Sequence, residues 1–193
     1  QEIHSLKNSI SEMWALVHQQ LYNAGEAMLT GDKELAYKVI SRERRVNAFE
    51  LKIDSDCEDI IALYAPVAID LRFVLAMYKI NTNLERLGDF AESIARFAGN
   101  LPEGEPIDPQ LVKETRVEEM LSELLSMISL TKEAFEKESS EIASRIFLKD
   151  NLIDEINHNS TAIIAKYIEE HKGSALAGLY MAGVIRKMER FGD

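Results

Sequence analysis

Cysteine is nearly absent: Cys57 stands alone among 193 residues. One thiol can form neither an intrachain disulfide nor a thiolate zinc site, so a reducing, cytoplasmic setting is expected and Cys57 reads as a small core residue. Proline and glycine are also scarce, at four and nine residues. Three of the prolines fall in one short stretch, GNLPEGEPIDPQ, which leaves long segments with nothing to stop a helix. No uninterrupted apolar run approaches the roughly 18 residues of a membrane span. The first residues, QEIHSLKNSISEMW, lack the basic-then-apolar order of a secretion signal, so no membrane insertion is expected. Positive charge is in deficit, 22 basic residues against 33 acidic, for a net charge of −11. Nucleic acids and anionic membranes are polyanions, and direct binding to either is disfavoured. Free phosphate is disfavoured for the same reason. Any anion held by this chain needs a bound cation or a local basic patch.

What is abundant is helical periodicity. Ile3, Leu6, Ile10, Met13, Val17, Leu21, Ala24 and Met28 advance by threes and fours, the seam of one long amphipathic helix. Gly31 is placed to stop it, and Asp32 to cap the next. Leu35, Val39, Val46, Phe49, Ile53, Cys57 and Ile60 trace a second helix as far as YAPVAIDL. Pro66 suits the first turn of a third, with the stripe Val67, Leu71, Val74, Tyr78, Leu84, Leu87, Ala91 and Ile94. After the proline-rich stretch the pattern restarts. Met120, Leu124, Met127 and Leu130 begin a fourth helix; Ile142, Ile146, Ile153, Ile156, Ile163 and Tyr167 a fifth; and HKGSAL precedes a sixth.

The second half repeats the first. With Met13 set on Met120, Ala36 falls on Ala143, Val39 on Ile146, Glu43 on Asp150 and Asn47 on Asp154. The expectation is an all-α chain of two tandem, pseudo-symmetric three-helix bundles: residues 1–99, a linker at 100–110, and residues 111–193.

One repeated string is unfavourable on its own. NLERLGDF places Glu85 and Asp89 four apart on a helix, where like charges face each other, with Gly88 between them; MERFGD closes the chain with Glu189, Gly192 and Asp193 in the same order. An interior helical glycine costs about 1 kcal/mol against alanine. On the second helix Glu43, Asn47, Glu50 and Asp54 are spaced four, three and four and share one stripe beside the core seam. Antiparallel packing would bring that stripe against Glu85 and Asp89. Crowded carboxylates take up protons or bind a cation, and an oxygen-only donor set suits Mg, Mn or Fe better than Zn. A glycine beside two acids lets a second helix or a metal-bound water come close. Single acidic pairs are usually solvated faces neutralised by neighbours such as Arg44, Arg45, Lys52 and Arg86; the duplication argues for a site.

ERRVNAFELKID, APVAIDLRFVLAMYKINTNLERLGDFAESIA and GVIRKMERFGD, in this tandem order, resemble the PhoU family of phosphate-signalling regulators over essentially the whole chain. That resemblance implies two symmetric three-helix bundles with multinuclear metal clusters on E/D-x-x-x-D motifs. It also implies a cytoplasmic, homodimeric and non-catalytic regulator that links the phosphate ABC transporter to its sensor histidine kinase and keeps the starvation response off when phosphate is plentiful. Matched residue by residue, the motifs fall on Glu43 with Asn47, Glu85 with Asp89, Asp150 with Asp154, and Glu189 with Asp193. Asn47 departs from the acidic pattern, and the counterparts of Glu50 and Asp54 are Asn157 and Thr161, so the two sites should differ. The sixth helix stops at Asp193, inside its motif; a frayed end there predicts tighter metal binding at the first site.

Three other readings compete. A purely structural helical protein fits the apolar seams and predicts no metal and no phosphate-dependent partner. A PhoU-like domain can form the regulatory part of a sodium-phosphate cotransporter. A carboxylate-bridged di-metal oxidase would need two Glu-x-x-His motifs, and only Glu155 with His158 fits.

Overall fold

In a computed structural model describing residues 2–102, 104–146 and 150–193, the side chain of residue 150 excepted, three long helices come first: α1 (Glu2–Thr30), α2 (Lys33–Tyr64) and α3 (Ala68–Asn100). They are followed by α4 (Pro109–Thr115), α5 (Val117–Lys137), α6 (Ser140–Ile146), α7 (Asp150–Glu170) and α8 (Ala175–Gly192). The described residues contain no strand, and none of their helices is long and apolar enough to cross a membrane.

The first boundary follows the sequence. Gly31 adopts a φ of +75°, and a Cβ there would lie 2.8 Å from the Glu105 carbonyl carbon. Asp32 then accepts a hydrogen bond from the Leu35 amide at 3.0 Å, an N-cap that contributes about 1 kcal/mol. The second boundary differs slightly. Pro66 lies in the turn before α3 rather than in its first turn, and Val67 is the N-cap. The stripe expected to start at Val67 is therefore rotated. Val67 and Tyr78 are 77% and 45% exposed, while Met77 and Asn81 are buried. On α7 the seam likewise passes through Ile164 rather than Ile163.

The fourth of the six expected helices is divided. Asp108 caps α4 by accepting from the Gln110 amide at 2.9 Å, with Pro109 in the first turn. Arg116, at φ 60°, then breaks α4 from α5. Glu138, at φ 52°, ends α5. Both turns use left-handed backbone at residues other than glycine, for which local sequence carries no signal. The described residues between Asn100 and Pro109 carry no helix, and Ile107 among them is buried and donates its amide to the Met28 carbonyl at 3.1 Å.

Packing follows the two expected bundles. The helices α1, α2 and α3 pack on one another, as do α5, α7 and α8. The first of these, α1, also touches α5, where the His18 ring reaches the Leu125 carbonyl at 3.2 Å and the Ser129 hydroxyl at 3.0 Å. A second crossing joins the halves: Phe90 of α3 packs on Phe191 of α8, and Phe97 stacks on Tyr180. Position falls along α8 as it rises along α3, so these two helices run antiparallel. Cys57 is buried, and burial pushes its thiol up to about 11, which suits a core residue rather than a nucleophile.

Candidate metal centres

The register of α2 against α3 decides which acids meet. A Cβ built at Gly88 would lie 2.8 Å from Val46 Cγ1 and 3.6 Å from both carboxyl oxygens of Glu43. From that close approach the helices run antiparallel. Asp54 lies against Asn81, and the Cys57 sulfur lies 3.9 Å from the Val74 carbonyl. The glycine is thus explained by the packing of a helix, the first of the two reasons the sequence suggested. Alanine would gain helix propensity there but collide with α2.

Glu43 consequently faces Asp89 and Glu92, and oxygens of the three carboxylates lie within 4.8 Å of one another. Glu43 is only 5% exposed, and neither of its oxygens has a hydrogen-bond partner. Burial first, then the charges of Glu92, Asp89 and Glu85, push its carboxyl from the ordinary 4.5 up to about 7. Ionised carboxylates only accept, so Asp89 can bond to Glu43 only when one of them is protonated. An orphaned, buried carboxylate facing two more is the donor set a hard cation takes.

Glu85 is half-buried one turn away. Burial, its contact with Asp89 and the charge of Glu50 raise it to about 7, against the lowering influence of Arg86. Burial and the charges of Asp54 and Asp89 raise Glu50 as well. Asn47 is exposed and stands outside the group of three. Asp54 is engaged elsewhere: fully buried Asn81 donates its amide to the Asp54 carboxylate at 2.8 Å and to the Glu50 carbonyl at 3.0 Å. Replacing Asn81 by leucine should therefore cost about 1 kcal/mol in urea unfolding and release Asp54. An unchanged midpoint would mean that this bridge between α2 and α3 contributes nothing.

A second group forms between α7 and α8, where oxygens of Asp154, Glu189 and Asp193 lie within 4.8 Å. The equivalents in the first half are Asn47, Glu85 and Asp89. The two groups are therefore offset by about one turn: where the first half carries an uncharged Asn47, the carboxylates converge instead on Glu43 and Glu92. The side chain of Asp150 lies outside the described residues. Glu92 was missed from sequence, although it follows Asp89 by three and continues the same stripe; its partner Arg96, four residues on, bonds to it with Nε at 2.9 Å. Glu155 and His158 are both exposed, and Glu155 pairs with Arg116 at 3.3 Å.

Comparison with known proteins gives one consistent result. The family model described as the PhoU domain matches residues 10–98 and 117–193. The chain is 32% identical over 191 residues to a phosphate-specific transport system accessory protein PhoU homolog of Aquifex aeolicus, covering 98% of this chain and 84% of that protein. It is 32% identical over 195 residues to the phosphate-specific transport system accessory protein PhoU of Escherichia coli, covering 100% of this chain and 78% of that one. Among solved structures, PhoU from Pseudomonas aeruginosa superposes with a TM-score of 0.86 at 26% identity, covering 100% of this chain and 90% of the other. The phosphate transport system regulatory protein PhoU from Streptococcus pneumoniae gives 0.84 at 29%, with 100% and 88% covered.

Proposed function

The chain belongs to the PhoU family, and from that membership we propose that it regulates phosphate uptake by binding protein partners and turns over no substrate. Its relatives are named as accessory and regulatory proteins of phosphate transport, and they align along the full length of the chain. In this reading it acts as a cytoplasmic homodimer. It couples a phosphate ABC transporter to a sensor histidine kinase as a negative regulator of the starvation response.

The observation that carries the metal half of the proposal is Glu43, buried without a hydrogen-bond partner among acids. Glu43, Asp89 and Glu92 would hold one cation, with Glu85 and Glu50 beside them; Asp154, Glu189 and Asp193 would hold another. Fe, Mn and Mg fit the oxygen-only donors better than Zn. A bound cation supplies charge neutralisation, which lets α2 and α3 stay closed over carboxylates that otherwise repel.

The test is genetic and chemical together. In phosphate-replete cells, deleting the protein should raise starvation-response transcription, and wild type should restore repression. A variant with Glu85 and Asp89 both changed to alanine should keep its helical circular dichroism, lose metal from the first site and fail to restore repression. An unchanged response on deletion sinks negative regulation; repression by a variant shown to have lost the metal sinks the role of the cation.

A further inference from the structure

The antiparallel crossing of α3 and α8 encloses a groove of 540 Å³ lined by Asn83, Arg86, Leu87, Asp89, Phe90, Lys187, Arg190, Phe191 and Asp193. Three features set it apart. First, it gathers three cations in a chain whose net charge is −11, and among the described residues none of the three makes an ion pair. Second, it is pseudo-symmetric. Glu189 follows Glu85 by 104 residues, and the same offset relates Arg86 to Arg190, Asn83 to Lys187 and Asp89 to Asp193. Each half thus contributes the same positions to one shared wall. Third, Lys187 of α8 reaches across to α3, with its ammonium 5.8 Å from the centre of the Phe90 ring.

We propose that this groove binds a tetrahedral oxyanion, a phosphate or phosphoryl group, through Arg86, Arg190 and Lys187, and that cations at the flanking carboxylate groups strengthen its hold. Guanidinium forks match the geometry of a phosphate's oxygens, and an ammonium adds a point charge. Asp89 and Asp193 line the same groove and belong to the first and second acidic groups respectively. Ionised and bare, they repel the anion and offset most of the basic charge. Neutralised by a cation, they leave the three basic groups unopposed. Anion and cation then favour each other's binding by the same factor, as linkage requires. The coupling rests on the metal assignment made above; the anion site itself does not.

Calorimetric titration of inorganic phosphate and of AMP, at constant ionic strength, separates the two. In chelator-treated protein the double variant D89N/D193N should bind phosphate roughly tenfold or more tightly than wild type, because two repelling charges are gone and no metal is involved. Adding R86Q or R190Q to that background should weaken binding roughly ten- to hundredfold, the range expected for losing a hydrogen bond to a charged group. Arg86 and Arg190 are exposed, so circular dichroism should be unchanged. In wild type, Mg²⁺ should tighten phosphate binding where D89N/D193N shows no such effect. Binding of phosphate alone assigns a free anion; competition by AMP assigns a phosphoryl group. No saturable binding of either ligand by D89N/D193N, or indifference to both arginine changes, overturns the site even if Mg²⁺ is bound. Binding that obeys the arginines but ignores Mg²⁺ in wild type leaves the anion site standing and removes the coupling.

Discussion

Replacing Glu43 by glutamine should make the metal-free protein more stable at pH 8, by about 3 kcal/mol, and should flatten the pH dependence of its stability below neutrality. Burial and the surrounding acids hold the folded Glu43 carboxyl at about 7 against an ordinary 4.5. Between those values the native state carries a proton that the unfolded chain has lost, so stability is full below about 4.5 and falls as pH rises to about 7. Above that it stays low. At about 1.36 kcal/mol per pH unit the loss is about 3 kcal/mol, and glutamine, neutral at every pH, does not incur it. Half-buried Glu85 is raised in the same direction and adds to the slope that remains. The measurement is urea unfolding of chelator-treated wild type and variant at pH 5 and pH 8. The two should converge at the lower pH and separate at the higher. Mg²⁺ or Mn²⁺ should stabilise wild type at pH 8 by more than the glutamine variant, which keeps only the second acidic group intact, because a ligand stabilises only the state that binds it. Parallel pH profiles for the two proteins would show that Glu43 ionises without penalty.

Changing Gly88 to alanine should destabilise the fold by about 1–2 kcal/mol and weaken cation binding at the first acidic group. Alanine gains about 1 kcal/mol of helix propensity at this position. Against that, the new methyl meets Val46 Cγ1 at 2.8 Å, and a helical valine has essentially one χ1 rotamer in which to wait. The collision is relieved only by parting α2 from α3, an overpacking penalty of about 1–3 kcal/mol that grows where no side chain can yield. The carboxyl of Glu43, 3.6 Å from the same Cβ, is carried away with α2. Leucine, with four carbons to place, should lose more. Val46→Ala alone opens a cavity and should cost about 2 kcal/mol. Combined with Gly88→Ala it should cost distinctly less than the two changes separately, since each fills what the other leaves. Strict additivity in denaturant midpoints would mean that the two positions do not touch.

Both predictions turn on a distinction between kinds of information along this chain. Ile10, Met13, Val17 and Leu21 repeat at helical spacing, and the Gly31–Asp32 stop and cap are local chemistry, so α1, α2 and the boundary between them are legible one residue at a time. So are the two halves and the unfavourable repeat of Glu85, Gly88 and Asp89, because a duplicated cost is visible without coordinates. The pattern also placed Glu43, Asn47, Glu50 and Asp54 on a single face, which is a property of one helix. It could not tell that Glu43 is buried and Asn47 exposed, that Asn81 claims Asp54, or that Glu92 joins Asp89. Nor could it break the fourth helix at Arg116, an ordinary residue in left-handed backbone. Nor could it bring Arg86 beside Arg190. Periodicity specifies which face of a helix turns inward; the axial slide of one helix along another is set by the few side chains, here Gly88 under Val46, whose shapes permit only one closest approach, and that slide alone chooses which charges meet.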